Sequence, residues 1–130
     1  MAMTAHVVFS ALDPAHPATT SATIIEQVIR GVIRFQGLLM SDDVSMNALA
    51  GSIAERTAAI IAAGCDVVLH CNGKLDEMRE VAGATPELSG EALERAKRAL
   101  ASRHPPQPFD RQAARAELDA LMDRAGMKGA

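Results

Sequence analysis

The sequence predicts an α/β chain built on a parallel sheet, and three observations carry that expectation. Short apolar runs without helical periodicity recur at residues 6–9, 38–40 and 65–71. Each is followed by turn residues and then by roughly ten or more residues whose apolar positions repeat at helical spacing. Strands alternating with helices of that length pair in parallel, because only a long crossover returns the chain to the same end of the sheet.

Each element has its own local reason. Residues 6–9 (HVVF) are β-branched and aromatic and are expected as the first strand. Residues 10–20 contain Pro14 and Pro17 and read as a loop. From Ser21 the period changes: Ile24, Ile25, Val28, Ile29, Val32 and Ile33 fall on one broad helical face. Thr23 with Glu26 has capping-box spacing, and Ser21 is a rival N-cap. Gly37 precedes Leu38, Leu39 and Met40, an unbroken apolar run suited to a strand buried on both faces, which ends in Ser41, Asp42 and Asp43. Ser52 and Glu55 form another capping box, Ile53, Ile60 and Ile61 recur among alanines, and Gly64 is placed to end that helix. Residues 65–71 (CDVVLHC) are the third strand, closed by the turn residues Asn72 and Gly73. A short helix is expected around residues 75–82, and a longer one from about 89 to 102 with Leu93, Ala96 and Leu100 inward. Pro105, Pro106 and Pro108 break the chain and divide it into 1–103 and 104–130. A last helix, from Asp110 to about Ala125, carries Ala114, Leu118, Leu121 and Met122 on one face.

Composition narrows the function classes. The 130 residues are one domain's worth, and with 48% hydrophobic and 22% charged residues they suit a folded globular protein. The net charge of −3 and the lack of a basic patch argue against nucleic acid as a partner. Apolar runs such as residues 58–63 fall far short of the ~20 residues of a membrane span, so no membrane partner is expected. No basic segment followed by a long apolar core opens the chain, and a cytoplasmic location is expected. Cys65 and Cys71 on one strand would stand roughly 20 Å apart, beyond the reach of a disulfide. Aromatic content is 2%, with no Trp or Tyr, which leaves little with which to stack a sugar or a base.

Three strands leave both sheet edges open, and a complete (β/α)8 barrel takes ~250 residues, so the chain is expected to pair with something or to belong to something larger. In parallel α/β architectures chemistry gathers at the C-terminal strand ends, here residues 10–13, 41–46 and 70–73. The adjacent carboxylates of Asp42 and Asp43 after an apolar strand are unusual. One reading has an Asp capping the next turn while its neighbour is solvated. The other is covalent glycoside hydrolysis, which needs one rigidly held, ionised carboxylate as nucleophile and a separate acid/base. Ser41 and the turn amides of residues 43–45 would supply donors, and alternation along the strand would point the two carboxylates apart. Residue chemistry alone leaves both readings open. Among the histidines, His6 is expected at the wrong end of its strand, His16 in a loop on the correct side, and His104 in the proline break. His70 either faces the site or packs as a hydrogen-bonded core histidine. Asp42 with Asp43 makes a poor cation site, and His70 and Cys71 diverge along a strand, so no metal is expected. No glycine-rich phosphate loop or nucleophile-elbow pattern occurs.

The stretches AHVVFSALDPAHPATTS, RFQGLLMSDDVSMNAL and AAGCDVVLHCNG, in order from about Ala5 to about Leu100, resemble the last three strand-loop segments of bacterial β-N-acetylglucosaminidases (β-hexosaminidases) of glycoside hydrolase family 3. Those are cytoplasmic enzymes of peptidoglycan recycling. The resemblance implies a partial (β/α)8 TIM barrel of about three parallel βα units plus C-terminal helices. It implies a parent enzyme that removes terminal β-N-acetylglucosamine from cell-wall fragments with retention and without a cofactor. By that resemblance Asp42 is the nucleophile and Asp43 helps set the loop, while Ser41, Met46 and His70 are candidates for binding substrate or shaping the site. The family's acid/base histidine–aspartate pair and its sugar-binding residues precede the matched stretches, so this chain is expected to lack them. A truncated reading frame, with a complementary N-terminal barrel fragment as partner, would account for that. The alternative is a non-catalytic half-barrel that dimerises or binds sugar or protein.

Overall fold

The run at Leu38, Leu39 and Met40 does become the centre of a sheet. The computed structural model describes residues 1–127. In chain order these form β1 (Ala2–Met3), a 3-10 turn (Ala18–Thr20), a π-helix (Thr23–Val32), β2 (Leu39–Asp43), α1 (Ile53–Ala62), β3 (Val67–Leu69), α2 (Leu75–Ala84), α3 (Gly90–Ala101) and α4 (Arg111–Arg124). The strands make one parallel sheet in the order β1-β2-β3, with Ala2 opposite Leu39 and Met40 opposite Val67. This is the mixed α/β arrangement of a partial TIM barrel. Its core unites the π-helix, β2, α1 and the segment leading into β3 through Ile25, Leu39, Val44, Leu49, Ile60, Ala63 and Cys65. Each fully buried Leu or Ile among them contributes about 1.5–3 kcal/mol.

The first strand is not where its composition put it. Pairing runs through Ala2, whose N–H donates to the Leu38 carbonyl at 2.9 Å, and Thr4, whose N–H donates to the Met40 carbonyl at 2.9 Å. Residues 6–9 lie beyond the ladder, and Val7, Val8 and Phe9 are exposed. A β-branched run expresses a preference for packing on a pleated surface, and the pairing register with β2 overrides it here. His6 therefore stands past the C-terminal end of β1, on the site side, and not at the far end. β2 extends through Ser41 and Asp42 to Asp43, and β3 is trimmed to three residues. Cys65 and Cys71 are both free thiols, the first buried and the second exposed.

The helical stretch after Ser21 is wider than an α-helix, with the Ile33 N–H bonded to the Val28 carbonyl five residues back at 2.8 Å. Ser21 rather than Thr23 caps it, accepting the Ile24 N–H on Oγ at 3.1 Å. The box at Ser52 and Glu55 forms in both directions and starts α1. Gly64 ends it with φ at +107°, where an added Cβ would also meet Ile25 Cγ2 at 3.1 Å. Beneath the sheet, the buried Asp66 carboxylate accepts Arg30 from the π-helix at 2.9 Å, Arg95 from α3 at 2.8 Å and the Leu39 N–H at 2.8 Å. Leu93 and Ala96 are half-buried, but Leu100, expected inward, is 61% exposed, because Arg95 rather than an apolar stripe docks this helix. The apolar face of α4 is likewise largely open, with Leu118 and Leu121 exposed and no residue of the helix buried. Among the described residues no helix is long and apolar enough to cross a membrane.

Candidate active site at the strand ends

Between Met40 and Asp43, β2 advances three residues while β3 advances two, from Val67 to Leu69. The extra residue is a bulge, which frees the strand end from strict alternation. Ser41 makes the bulge tolerable. It is fully buried, and its Oγ accepts the Leu69 N–H at 2.9 Å in place of a ladder carbonyl. The ladder resumes where the Val44 N–H donates to the Leu69 carbonyl at 2.9 Å. No hydrogen bond joins Ser41 to Asp42 among the described residues, so its role is to shape the strand end.

The two carboxylates that follow differ sharply in their partners. Asp43 Oδ1 accepts the N–H of Ser45 at 3.0 Å and of Cys71 at 3.2 Å, and Oδ2 accepts the Ser45 hydroxyl at 2.7 Å. Burial pushes this carboxyl up, but the Ser45 and Cys71 donors and the attraction of His70 outweigh it, leaving it below the ordinary carboxylate range. Asp42 Oδ1 accepts only the Asp43 N–H, at 2.8 Å, and its second oxygen has no protein donor among the described residues. Asp43 is thus occupied as a brace, while Asp42, half-buried, keeps one oxygen free.

His70 follows β3 at the same end. Its side chain is 7% exposed, and Nε2 lies 3.0 Å from Glu77 Oε2 in the first turn of α2. Glu77 also takes Asn72 Nδ2 and Lys74 Nζ, and these donors, His70 first, lower its carboxyl to about 2. The neighbouring Cys71 thiol is pushed up by desolvation and then by the carboxylates of Asp43 and Asp42. Met46 is exposed; its N–H closes the turn onto the Asp43 carbonyl at 3.1 Å, and its own carbonyl accepts Arg56 at 3.1 Å.

The loop after β1 brings in His6, which the sequence placed at the far end, beside Asp13 and His16, which it placed on this side. His6 Nε2 lies 2.9 Å from the Asp43 carbonyl oxygen and Nδ1 lies 2.9 Å from the Thr19 hydroxyl. Asp13 organises the rest of the loop. It accepts the Ser21 hydroxyl at 2.7 Å and the N–H groups of Ala15 and His16, and the Ser21 bond foremost lowers it to about 2. His16 pairs with Asp13 and borders an open cleft of about 750 Å3 between this loop and the start of α1. Ser41, Asp42, Asp43 and His70 therefore meet at one end of the sheet, joined there by His6 and Glu77. The signal for Glu77 was local, an acid in a first helical turn close behind His70. The signal for His6 required the register of β1. Among the described residues no three His, Cys, Asp or Glu side chains converge as metal ligands.

The chain is similar to known proteins in sequence and in fold. The family model described as glycosyl hydrolase family 3 N terminal domain matches residues 1–102. A β-hexosaminidase of Idiomarina loihiensis is 34% identical over 102 residues, covering 77% of this chain and 31% of the relative. One from Alkalilimnicola ehrlichii is 47% identical over 72 residues, 54% of this chain and 20% of the relative. The chain thus spans a third or less of the length of these curated relatives. Among solved structures, a β-N-acetylhexosaminidase from Beutenbergia cavernae matches with a TM-score of 0.59 at 33% identity, over 77% of this chain and 32% of that one. A family 3 β-N-acetylglucosaminidase from Paenibacillus matches at 0.64 with 25% identity, over 85% and 24%. The chain belongs to glycosyl hydrolase family 3, the match being to the family's N-terminal domain over residues 1–102.

Proposed function

We propose that this chain forms the last three βα units of a retaining β-N-acetylglucosaminidase barrel and supplies its nucleophile, Asp42. One observation supports the assignment above others: Asp42 holds one oxygen on the Asp43 amide and leaves the other free at the C-terminal end of the central strand, while Asp43 has both oxygens committed. In the reaction the free Asp42 oxygen attacks the anomeric carbon as the bond to the leaving oxygen breaks, giving a glycosyl ester. The leaving oxygen takes its proton from an acid outside these residues. Water activated by the same group then hydrolyses the ester with net retention. The relatives' names support a hexosaminide, and terminal β-N-acetylglucosamine on peptidoglycan fragments in the cytoplasm is the substrate proposed. Position in a barrel is supported by the open side of β1. There Met3, Phe9, Leu12, Ile24, Val28 and Ile33 line an apolar groove of about 290 Å3, the kind of face that a further segment of a barrel covers.

The test is complementation. The chain is co-expressed with the preceding strands of the Idiomarina loihiensis relative, and hydrolysis of an aryl β-N-acetylglucosaminide is measured. The assembly is expected to turn over, with Asp42→Ala losing about 10⁴-fold or more in kcat and Asp43→Ala losing clearly less. A more damaging Asp43→Ala would reverse the assignment. An inactive, stable homodimer would favour the non-catalytic half-barrel.

A further inference from the structure

The turn after Asp42 is held from the loop after β1. The Asp43 carbonyl is a pure acceptor, so the His6 Nε2 at 2.9 Å from it carries the proton. On the other side of the ring, Thr4 donates its hydroxyl to Thr19 Oγ1 at 2.9 Å, both residues being buried. That leaves the Thr19 proton for His6 Nδ1, 2.9 Å away, and each polar group in the relay is matched by a bond. The Asp43 carbonyl takes a second donor, the Met46 N–H at 3.1 Å. Residue 43 is thereby held at its side chain by Ser45 and Cys71 and at its carbonyl by His6 and Met46. Its remaining polar group is the N–H, and that N–H carries the Asp42 carboxylate at 2.8 Å.

From this geometry we infer that His6 is a positioning residue for Asp42: by clamping the Asp43 carbonyl through Nε2, it fixes the residue whose N–H orients the Asp42 carboxylate. The catalytic consequence rests on the reading of Asp42 as nucleophile; the clamp itself does not. A carboxylate aimed at an anomeric carbon tolerates little displacement, and a shift near 1 Å costs on the order of 100-fold in rate.

Two substitutions separate the clamp from a mere loop anchor. His6→Gln keeps an N–H near the position of Nε2 but offers no acceptor to Thr19, whereas His6→Asn keeps an oxygen near Nδ1 and cannot reach the Asp43 carbonyl. In the complemented barrel, His6→Asn is expected to lower kcat about 100-fold with KM held within about twofold, and His6→Gln to stay within about tenfold of the parent. In the chain by itself, amide exchange at Met46 followed by NMR should accelerate in His6→Asn and not in His6→Gln. Rescue by Asn with loss in Gln, or equal loss in both, overturns the inference. If the parent assembly shows no turnover, the nucleophile reading falls, and the Met46 exchange rates then support or overturn the clamp independently.

Discussion

Adjacent carboxylates on one strand end, Asp42 and Asp43, differ in their partners: Asp43 takes donors on both oxygens, and Asp42 takes the Asp43 N–H on one. The same chemistry acts at Asp13 and Glu77, each lowered to about 2 by hydrogen bonds, from Ser21 foremost in one case and from His70 foremost in the other. A carboxyl whose folded pKa is depressed stabilises the fold fully above its unfolded value near 4. It loses that stabilisation as pH falls through the folded value. Urea midpoints are therefore expected to be flat above about pH 5 and to fall progressively between about pH 4 and pH 2. Ser21→Ala should flatten part of that fall by returning Asp13 towards its ordinary range. It should also lower stability at neutral pH by about 1 kcal/mol through loss of the helix cap. An unchanged acid limb in Ser21→Ala would show that Asp13 is not held this way.

Local pairing rules set the elements where partners lie a few residues apart. The Ser52–Glu55 box was legible in the sequence because both donors and both acceptors lie within one turn, and the structure forms it in both directions. Ser52→Ala is expected to cost α1 about 1 kcal/mol, read as a lower thermal midpoint by circular dichroism with the native spectrum retained. Other elements departed from their pattern. Helical periodicity placed the stretch after Ser21 correctly, yet could not distinguish a π-helix from an α-helix, since both bury Ile24 and Ile25 on one side. The HVVF run has the composition of a strand, but the backbone partners of β2 fall at Ala2 and Thr4, four or so residues earlier. That single shift of register carried His6 from the expected far end of the sheet to the candidate site.

At the scale of the whole molecule, Asp66 ties three elements together. Its carboxylate joins the π-helix through Arg30, β2 through the Leu39 N–H and α3 through Arg95. With the carboxylate 3% exposed and the two guanidinium groups largely covered, removing it leaves two cations without their counter-charge and the Leu39 N–H without its acceptor, although Arg30 keeps the carbonyls of Phe35 and Gly37. Asp66→Ala is expected to cost roughly 3–5 kcal/mol in urea unfolding, well above the cap substitutions. A loss below about 1 kcal/mol would mean that water replaces the clamp. The clamp lies beneath the sheet and the candidate site at the opposite strand ends, so stability and chemistry are drawn from different ends of the same strands, as barrel architecture generally divides them.

The α/β class, the order of helices, the Ser52 box and the unusual Asp42–Asp43 pair are legible in the chain, since each depends on spacing within a few residues. Only the folded chain settles which strand residues pair, that Ser41 fills a bulge against Leu69, that Asp43 is the braced carboxylate, and that His6 reaches across from the loop after β1. Those outcomes depend on groups 28 to 37 positions apart in the chain. Their meeting is set by sheet register, and a one-residue change of register exchanges every side chain between faces without altering any local pattern.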